Sequence, residues 1–219
     1  MKLKDIIGGL RVILDDVAKP YLWQDDKLTA YLNEAQVEAC IRARLIPDKD
    51  SIITKVTVAA NENEVELDPL ITHVQRVYGL ISGERRSLSR TSIETLDAEY
   101  DGRWPSCKGQ PRFFYDEIDY LGVHPTPTVN TSLMLAVYRL PLEPMDAADD
   151  EPEIPERFQI HLIEWAAHLC FMRRDSDSQD KPRANDHEAR FTAIFGERPT
   201  ANHQRTRRLK KVPVCKPIW

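Results

Sequence analysis

Leu3, Ile6, Ile7, Leu10, Ile13, Leu14 and Val17 recur at the spacing of one helical face and predict an amphipathic helix over 3–17. Gly8 and Gly9 each weaken it by about 1 kcal/mol relative to alanine, and Pro20 lies beyond its end. Leu28, Leu32, Ala35 and Ala39 mark a second helix. It begins near Asp25 and Asp26, whose carboxylates suit a first turn, and runs to about Leu45, before Pro47. The period then shifts from 3.6 to 2. Residues 52–58 alternate, 65–67 follow an Asn-Glu-Asn turn, and 74–81 turn back at Ser82 and Gly83 toward 86–88. Thr91 and Glu94 resemble a capping box for a short helix over 92–100. Three more strands are expected at 113–117, 120–124 and 132–138, and links this short predict a mostly antiparallel sheet.

A strongly apolar helix opens at Ile154 and Pro155. Phe158, Leu162, Trp165, Leu169 and Met172 form one stripe, while Ile160, Ile163, Ala167, Cys170 and Phe171 make the opposite side apolar too. Only Arg157, His161, Glu164 and His168 leave a narrow polar line. A helix apolar on nearly all sides is buried on nearly all sides, so neighbouring copies are expected to complete its cover. A last helix is expected over 184–195, with Gly196 available for a left-handed cap and Pro199 preventing continuation. The fold class is therefore α+β: a helical bundle from the two ends of the chain (1–50 and 142–197), an inserted antiparallel β-rich subdomain (51–141), and an extended basic C-terminal arm (198–219).

Charge sharpens this division. Seven of the 30 basic residues and none of the 35 acidic ones lie after Glu197, so residues 1–197 carry a formal charge of −12 and the arm +7. Residues 143–156 hold seven acidic residues and no lysine or arginine. Three readings of the arm stand together: a solvated end, a nucleic-acid-binding tail that uses phosphate contacts, and a protein-docking arm. In the last, Arg205, Arg207, Arg208, Lys210 and Lys211 meet an acidic groove, while Ile218 and Trp219 enter apolar pockets.

Reactive constellations are missing. Cys40, Cys107, Cys170 and Cys215 are too scattered for a common zinc site and read as free thiols. His161, Glu164 and His168 share a helix face, but without the four-residue spacing between histidines of the zinc-protease helix. Asp116, Glu117, Asp119 and His124 read as solvated residues of a strand turn rather than an acid–base pair. Nucleophile elbows and phosphate-cradling glycine loops are absent, so neither catalysis nor a cofactor is expected. No apolar run reaches the roughly 18 residues of a membrane span. Asp5 and Arg11 interrupt any signal-like segment, so a soluble protein kept inside the cell is expected.

Beyond these patterns, the chain resembles the tailed-bacteriophage head-to-tail adaptor proteins, also called connector or head-completion proteins. The resemblance covers about 20–175. It starts at Trp23 with Leu28, Leu32, Asn33, Glu34 and Ala35, and continues through Val65, Leu67, Asp68 and Pro69, then Leu88, Leu96 and Asp97. Gly109, Pro111, Tyr115, Pro125, Pro127, Leu135, Tyr138 and Pro141 follow, before Ile154 and Pro155. It implies a non-enzymatic virion part at the head–tail junction, assembled in the host cytoplasm as a ring, typically of twelve copies. Such a ring sits beneath the portal protein and joins it to a tail, nozzle or stopper protein. DNA passes through its lumen without specific binding, and no membrane is involved. By the same resemblance, helices such as the one carrying Phe158, Leu162, Trp165 and Leu169 pack against neighbouring subunits, and the C-terminal arm reaches for the portal.

Overall fold

Leu3, Ile6 and Leu10 fall on one side of the first helix, α1 (Leu3–Ile13), and are fully buried. The helix is four residues shorter than its apolar pattern, because Asp15 takes a left-handed conformation at φ 56°. Helix α2 (Asp25–Ala43) buries Leu28, Leu32, Ala35 and Ala39 and ends at Arg44, which is also left-handed and donates its N–H to the Cys40 carbonyl at 2.9 Å. The computed structural model describes residues 1–81, 84–173 and 179–200.

Among the described residues eight strands follow with one helix among them: β1 (Ile46–Asp48), β2 (Lys55–Val58), β3 (Glu64–Glu66), β4 (Ile71–Ile81), β5 (Glu84–Arg90), helix α3 (Ile93–Tyr100), β6 (Phe113–Asp116), β7 (Tyr120–His124) and β8 (Thr131–Arg139). The chain ends its described part with α4 (Glu156–Gln159), α5 (Leu162–Met172) and α6 (Lys181–Phe195). Among the described residues no helix is long and apolar enough to cross a membrane. The fold is mixed α+β, and the chain divides into a helical unit of residues 1–46 and 139–198 and a β-rich unit that includes residues 47–138.

Within the β-rich unit the strand order is β1-β8-β4-β5-β6-β7-β3, with β2 also paired to β8. Strands β2 and β3 thus lie at opposite ends of the order, yet only residues 59–63 join them. A flat sheet would hold them about 25 Å or more apart at the usual 4.8 Å strand spacing, whereas that link reaches about 20 Å. The sheet therefore has to curl. Its concave side holds Val58, Val74, Val77, Leu88, Phe114, Leu121, Val123, Leu133, Leu135 and Val137, all buried.

Three sequence expectations are corrected here. Strands β5 and β6 are parallel, with Ser89 opposite Phe113. The crossover they need runs through residues 91–112, where α3 and a 3-10 turn at Trp104–Ser106 pack back on the sheet through Leu96 and Trp104. The cap of α3 is Ser92, whose hydroxyl accepts from Thr95 N–H, rather than Thr91. Residues 52–54 form a 3-10 turn, which leaves Ile52 exposed, and the strand starts only at Lys55.

In the helical unit, α1, α2, α5 and α6 share one core that includes Leu10, Leu28, Leu32, Leu162, Ala166, Ala167 and Phe191. The helix expected to continue from Pro155 is broken into α4 and α5. Gln159 is buried at the step, and its amide donates to the carbonyls of Pro152 and Ile154 at 2.9 and 3.0 Å. The backbone then tightens to i→i−3 bonds, Ile163 to Ile160 and Glu164 to His161. Gly196 does follow α6 at a positive φ of 83°, but with ψ near 177°, a region open almost only to glycine and different from the expected left-handed cap.

Candidate functional site

The apolar surface of α5 is covered largely by its own chain. Leu162 is fully buried, as are Ala166, Ala167 and Cys170, against α1, α2 and α6. Gly9 lets α1 approach closely: a Cβ there would lie 3.0 Å from Ile163 Cδ1. Leu162 therefore supports α5 from inside and has no surface to offer a neighbour. Phe158, Trp165 and Leu169 remain half-buried, and Ile160 and Met172 are exposed.

Trp165 sits at the centre of what is left. Its ring centroid lies 5.1 Å from Phe191 and 5.0 Å from His168, and the Arg42 guanidinium is 4.8 Å above it. Its indole Nε1 is buried without a hydrogen-bond partner among the described residues. Phe158 packs on Phe195, which packs on Phe191 at 4.5 Å. Arg42 spans this aromatic row: it donates to Glu38 at 2.7 Å, to Thr192 Oγ1 at 2.9 Å and to the Gly196 carbonyl at 3.2 Å. Arg198 joins the same carboxylate, 3.5 Å from Glu38 Oε2, so the base of the basic arm is tied to α2.

The polar line of α5 is an internal seam rather than a metal face. Glu164 takes a 2.7 Å bond with His187 Nδ1, and His168 Nδ1 lies 3.0 Å from the Ala184 carbonyl, so both side chains face α6. Among the described residues no three His, Cys, Asp or Glu side chains gather as a metal site. Burial pushes the Cys40 and Cys170 thiols up to about 12, which keeps them protonated and unreactive at neutral pH.

The acidic connector is a structured strap. Leu3 and Lys4 at the start of α1 donate their N–H groups to the carbonyls of Asp150 and Ala148, and Lys2 and Lys4 reach Asp149 at 3.0 and 2.9 Å. Bonding to Lys4 holds the Asp149 carboxyl below its usual range. Asn33 exchanges two 2.9 Å bonds with the Met145 backbone, and Gln36 accepts from Glu153 N–H at 2.7 Å. Composition alone does not reveal this, because, Asp149 apart, the bonds described are made by the connector's backbone.

The carboxylates near the β6–β7 turn also differ from expectation. Asp116 is buried and pairs with Arg90 at 2.7 Å across the parallel strands, so it is a structural ion pair and not a solvated turn residue. His124 is 1% exposed, and among the described residues neither ring nitrogen has a partner. Tyr100 and Trp104 meet its ring edge-on at 4.8 and 6.0 Å. Burial holds its pKa below the ordinary value of 6.5, with Glu99 opposing weakly. The folded state thus favours the neutral ring. Its contribution is present above pH 6.5 and is lost as pH falls below that, where the unfolded chain binds the proton first. Urea midpoints at pH 7.5 and pH 5 should therefore differ less for His124→Phe than for the parent; an equal difference refutes the argument.

The proposed arm residues Arg205, Arg207, Arg208, Lys210, Lys211, Ile218 and Trp219 lie outside the described residues. Phe158 lies in α4 and Leu162, Trp165 and Leu169 in α5, so the expected single stripe is split between two helices, with Leu162 buried. Arg42, which links α2 to the aromatic row and to α6, carries no sequence signal beyond its spacing of four from Glu38. No curated protein matches the chain. The family model described as SU10 adaptor protein matches residues 1–214, nearly the whole chain and well beyond the span of the initial resemblance. On that match the chain belongs to the SU10 adaptor protein family, the structural head-to-tail adaptors of tailed bacteriophages.

Proposed function

We propose that copies of this chain form a ring, of about twelve subunits as the sequence resemblance implies, that joins the portal vertex of the capsid to the tail and lines the DNA channel. The helices from the two ends of the chain act as one bundle within each subunit, and residues 198–219 form an extended arm that binds the portal protein. A tail, nozzle or stopper protein docks on the other side. Assembly takes place on the capsid vertex in the host cytoplasm. Phe158, Trp165 and Leu169 contribute the exposed part of the subunit contact, with Leu162 fixing the helix beneath them. A head-to-tail ring of this kind closes by rotation and needs two unlike faces on each copy.

The family match carries this reading, because it runs through the basic segment to residue 214. The acidic body suits a channel through which DNA slides, since like charge discourages adhesion. Truncation after Thr200 removes most of the arm and keeps Arg198 on Glu38. The truncated protein should fail to co-sediment with portal protein while the full chain binds. Equal co-sedimentation of the two proteins removes the arm from the proposal.

A further inference from the structure

Among the 35 acidic residues of this chain, only Glu84 lies in β4, β5 or β8. The β4–β5 hairpin instead carries Arg76, Arg85, Arg86 and Arg90. Arg90 is taken up by Asp116. The other three are exposed. Register decides which way they point. Val77 and Leu88 are paired and lie in the core, so the next pairs, Tyr78 with Ser87 and then Leu80 with Arg85 two residues on, alternate: Tyr78, Leu80 and Arg85 share the opposite face. Arg76, two residues before Tyr78, shares it too. The Arg85 guanidinium lies 3.9 Å over the Tyr78 ring, and Leu80 beside it is 46% exposed. Among the described residues no carboxylate pairs with Arg76 or Arg85, while Arg86 meets Glu84 at 3.2 Å with both ends in solvent.

We propose that this face of the β4–β5 hairpin binds the phosphodiester backbone of duplex DNA. Charge complementarity selects the ligand. A body of formal charge −12 repels a polyanion nearly everywhere, so DNA meets the protein where carboxylates are missing and guanidinium groups stand free. Stacking on Tyr78 orders Arg85 before contact, which lowers the entropy lost on pairing with phosphate. A two-stranded ribbon also fits the width of the major groove. Contacts to phosphate carry no sequence information, so binding is independent of base sequence. Arg86 is opposite Gly79 and shares the side of Val77 and Leu88, so the face offers two contacts, Arg76 and Arg85. Two contacts give a slope of about −1.8 in log K against log salt, the mark of a weak and rapidly reversed interaction. This inference concerns the single chain and does not depend on the portal-binding arm.

The test is fluorescence anisotropy of a short labelled duplex with the full-length chain and with the double variant Arg76→Gln, Arg85→Gln. Both proteins keep the basic segment after Thr200, so the difference between them reports the hairpin alone. The variant should bind at least about tenfold more weakly at about 50 mM salt, and its salt slope should be shallower by about 2. Arg→Lys replacements at the same two positions keep the charge and should keep the slope. Both side chains are exposed, so unfolding midpoints should match the parent. Unchanged affinity and slope in the Gln variant overturn the proposal, as does a parent chain that ignores DNA. Loss of self-association in sedimentation with DNA binding intact assigns the face to contact between copies, and overturns it equally.

Discussion

Gly122→Ala should destabilise the β-rich unit by about 3 to 5 kcal/mol, the range of a lost buried aromatic side chain. The ring of Tyr115 lies across this glycine: a Cβ at residue 122 would stand 1.9 Å from Tyr115 Cζ and 2.2 Å from Cε2. Neither residue has room to yield. Gly122 pairs with Tyr115 on one side and with Glu64 on the other, and Tyr115 crosses it to donate its hydroxyl to Glu64 Oε1 at 2.9 Å. Trp104 closes the far side of the ring edge-on at 5.6 Å. Burial and the bond to Glu64 both raise the pKa of the phenol, which stays protonated as the donor. A methyl group must therefore expel the ring, and its cover over α3 and the Trp104 turn goes with it. Urea unfolding measures the loss. The double change Tyr115→Ala with Gly122→Ala should cost clearly less than the sum of the two single changes, because both remove the same contact. A Gly122→Ala protein within about 0.5 kcal/mol of the parent contradicts the geometry.

Arg11→Ala carries the second large effect, about 3 to 5 kcal/mol, as expected when one partner of a buried ion pair is removed. Arg11 is 6% exposed. It donates to Asp16 at 2.6 Å, to the Trp23 carbonyl at 2.8 Å and to Asp25 at 2.5 Å, and its guanidinium lies 3.7 Å over the Tyr21 ring. Asp16 in turn accepts from the N–H groups of Leu22 and Trp23. This one side chain pins the whole connection from α1 to α2. Without it, Asp16 stays buried as an unpaired carboxylate. Arg11→Met with Asp16→Asn should recover much of the loss, since the stranded charge is then gone. If the double variant is as unstable as Arg11→Ala, the charge argument is wrong and packing alone accounts for the effect.

Sequence periodicity reveals the core faces of the helices directly. Leu3, Ile6 and Leu10, like Leu28, Leu32 and Ala35, are buried where their spacing puts them. Long-range pairing is the part that stays hidden. The parallel β5–β6 pair depends on a crossover whose residues, Trp104 to Pro111, have neither helical nor strand period. Strand β1 is three residues long, below what alternation can signal. Arg11 looks like one more charge on an amphipathic helix until Asp16 and Asp25 are seen to converge on it. The half-buried face of Phe158, Trp165 and Leu169 follows from the apolar stripe, but the cover that α1, α2 and α6 give Leu162 does not, because a one-dimensional pattern reports how oily a position is and not which chain covers it.

The discontinuity of the helical unit has a consequence for synthesis. Helices α1 and α2 leave the ribosome first, yet the side chains that cover Leu10, Leu28 and Leu32 come in part from α5 and α6, more than a hundred residues later. Until that second half emerges, two oily helix faces wait uncovered beside a β-rich segment able to finish its own core. Nascent chains halted before residue 154 should thus bind a chaperone that recognises exposed aliphatic stretches, and chains released at full length should let it go.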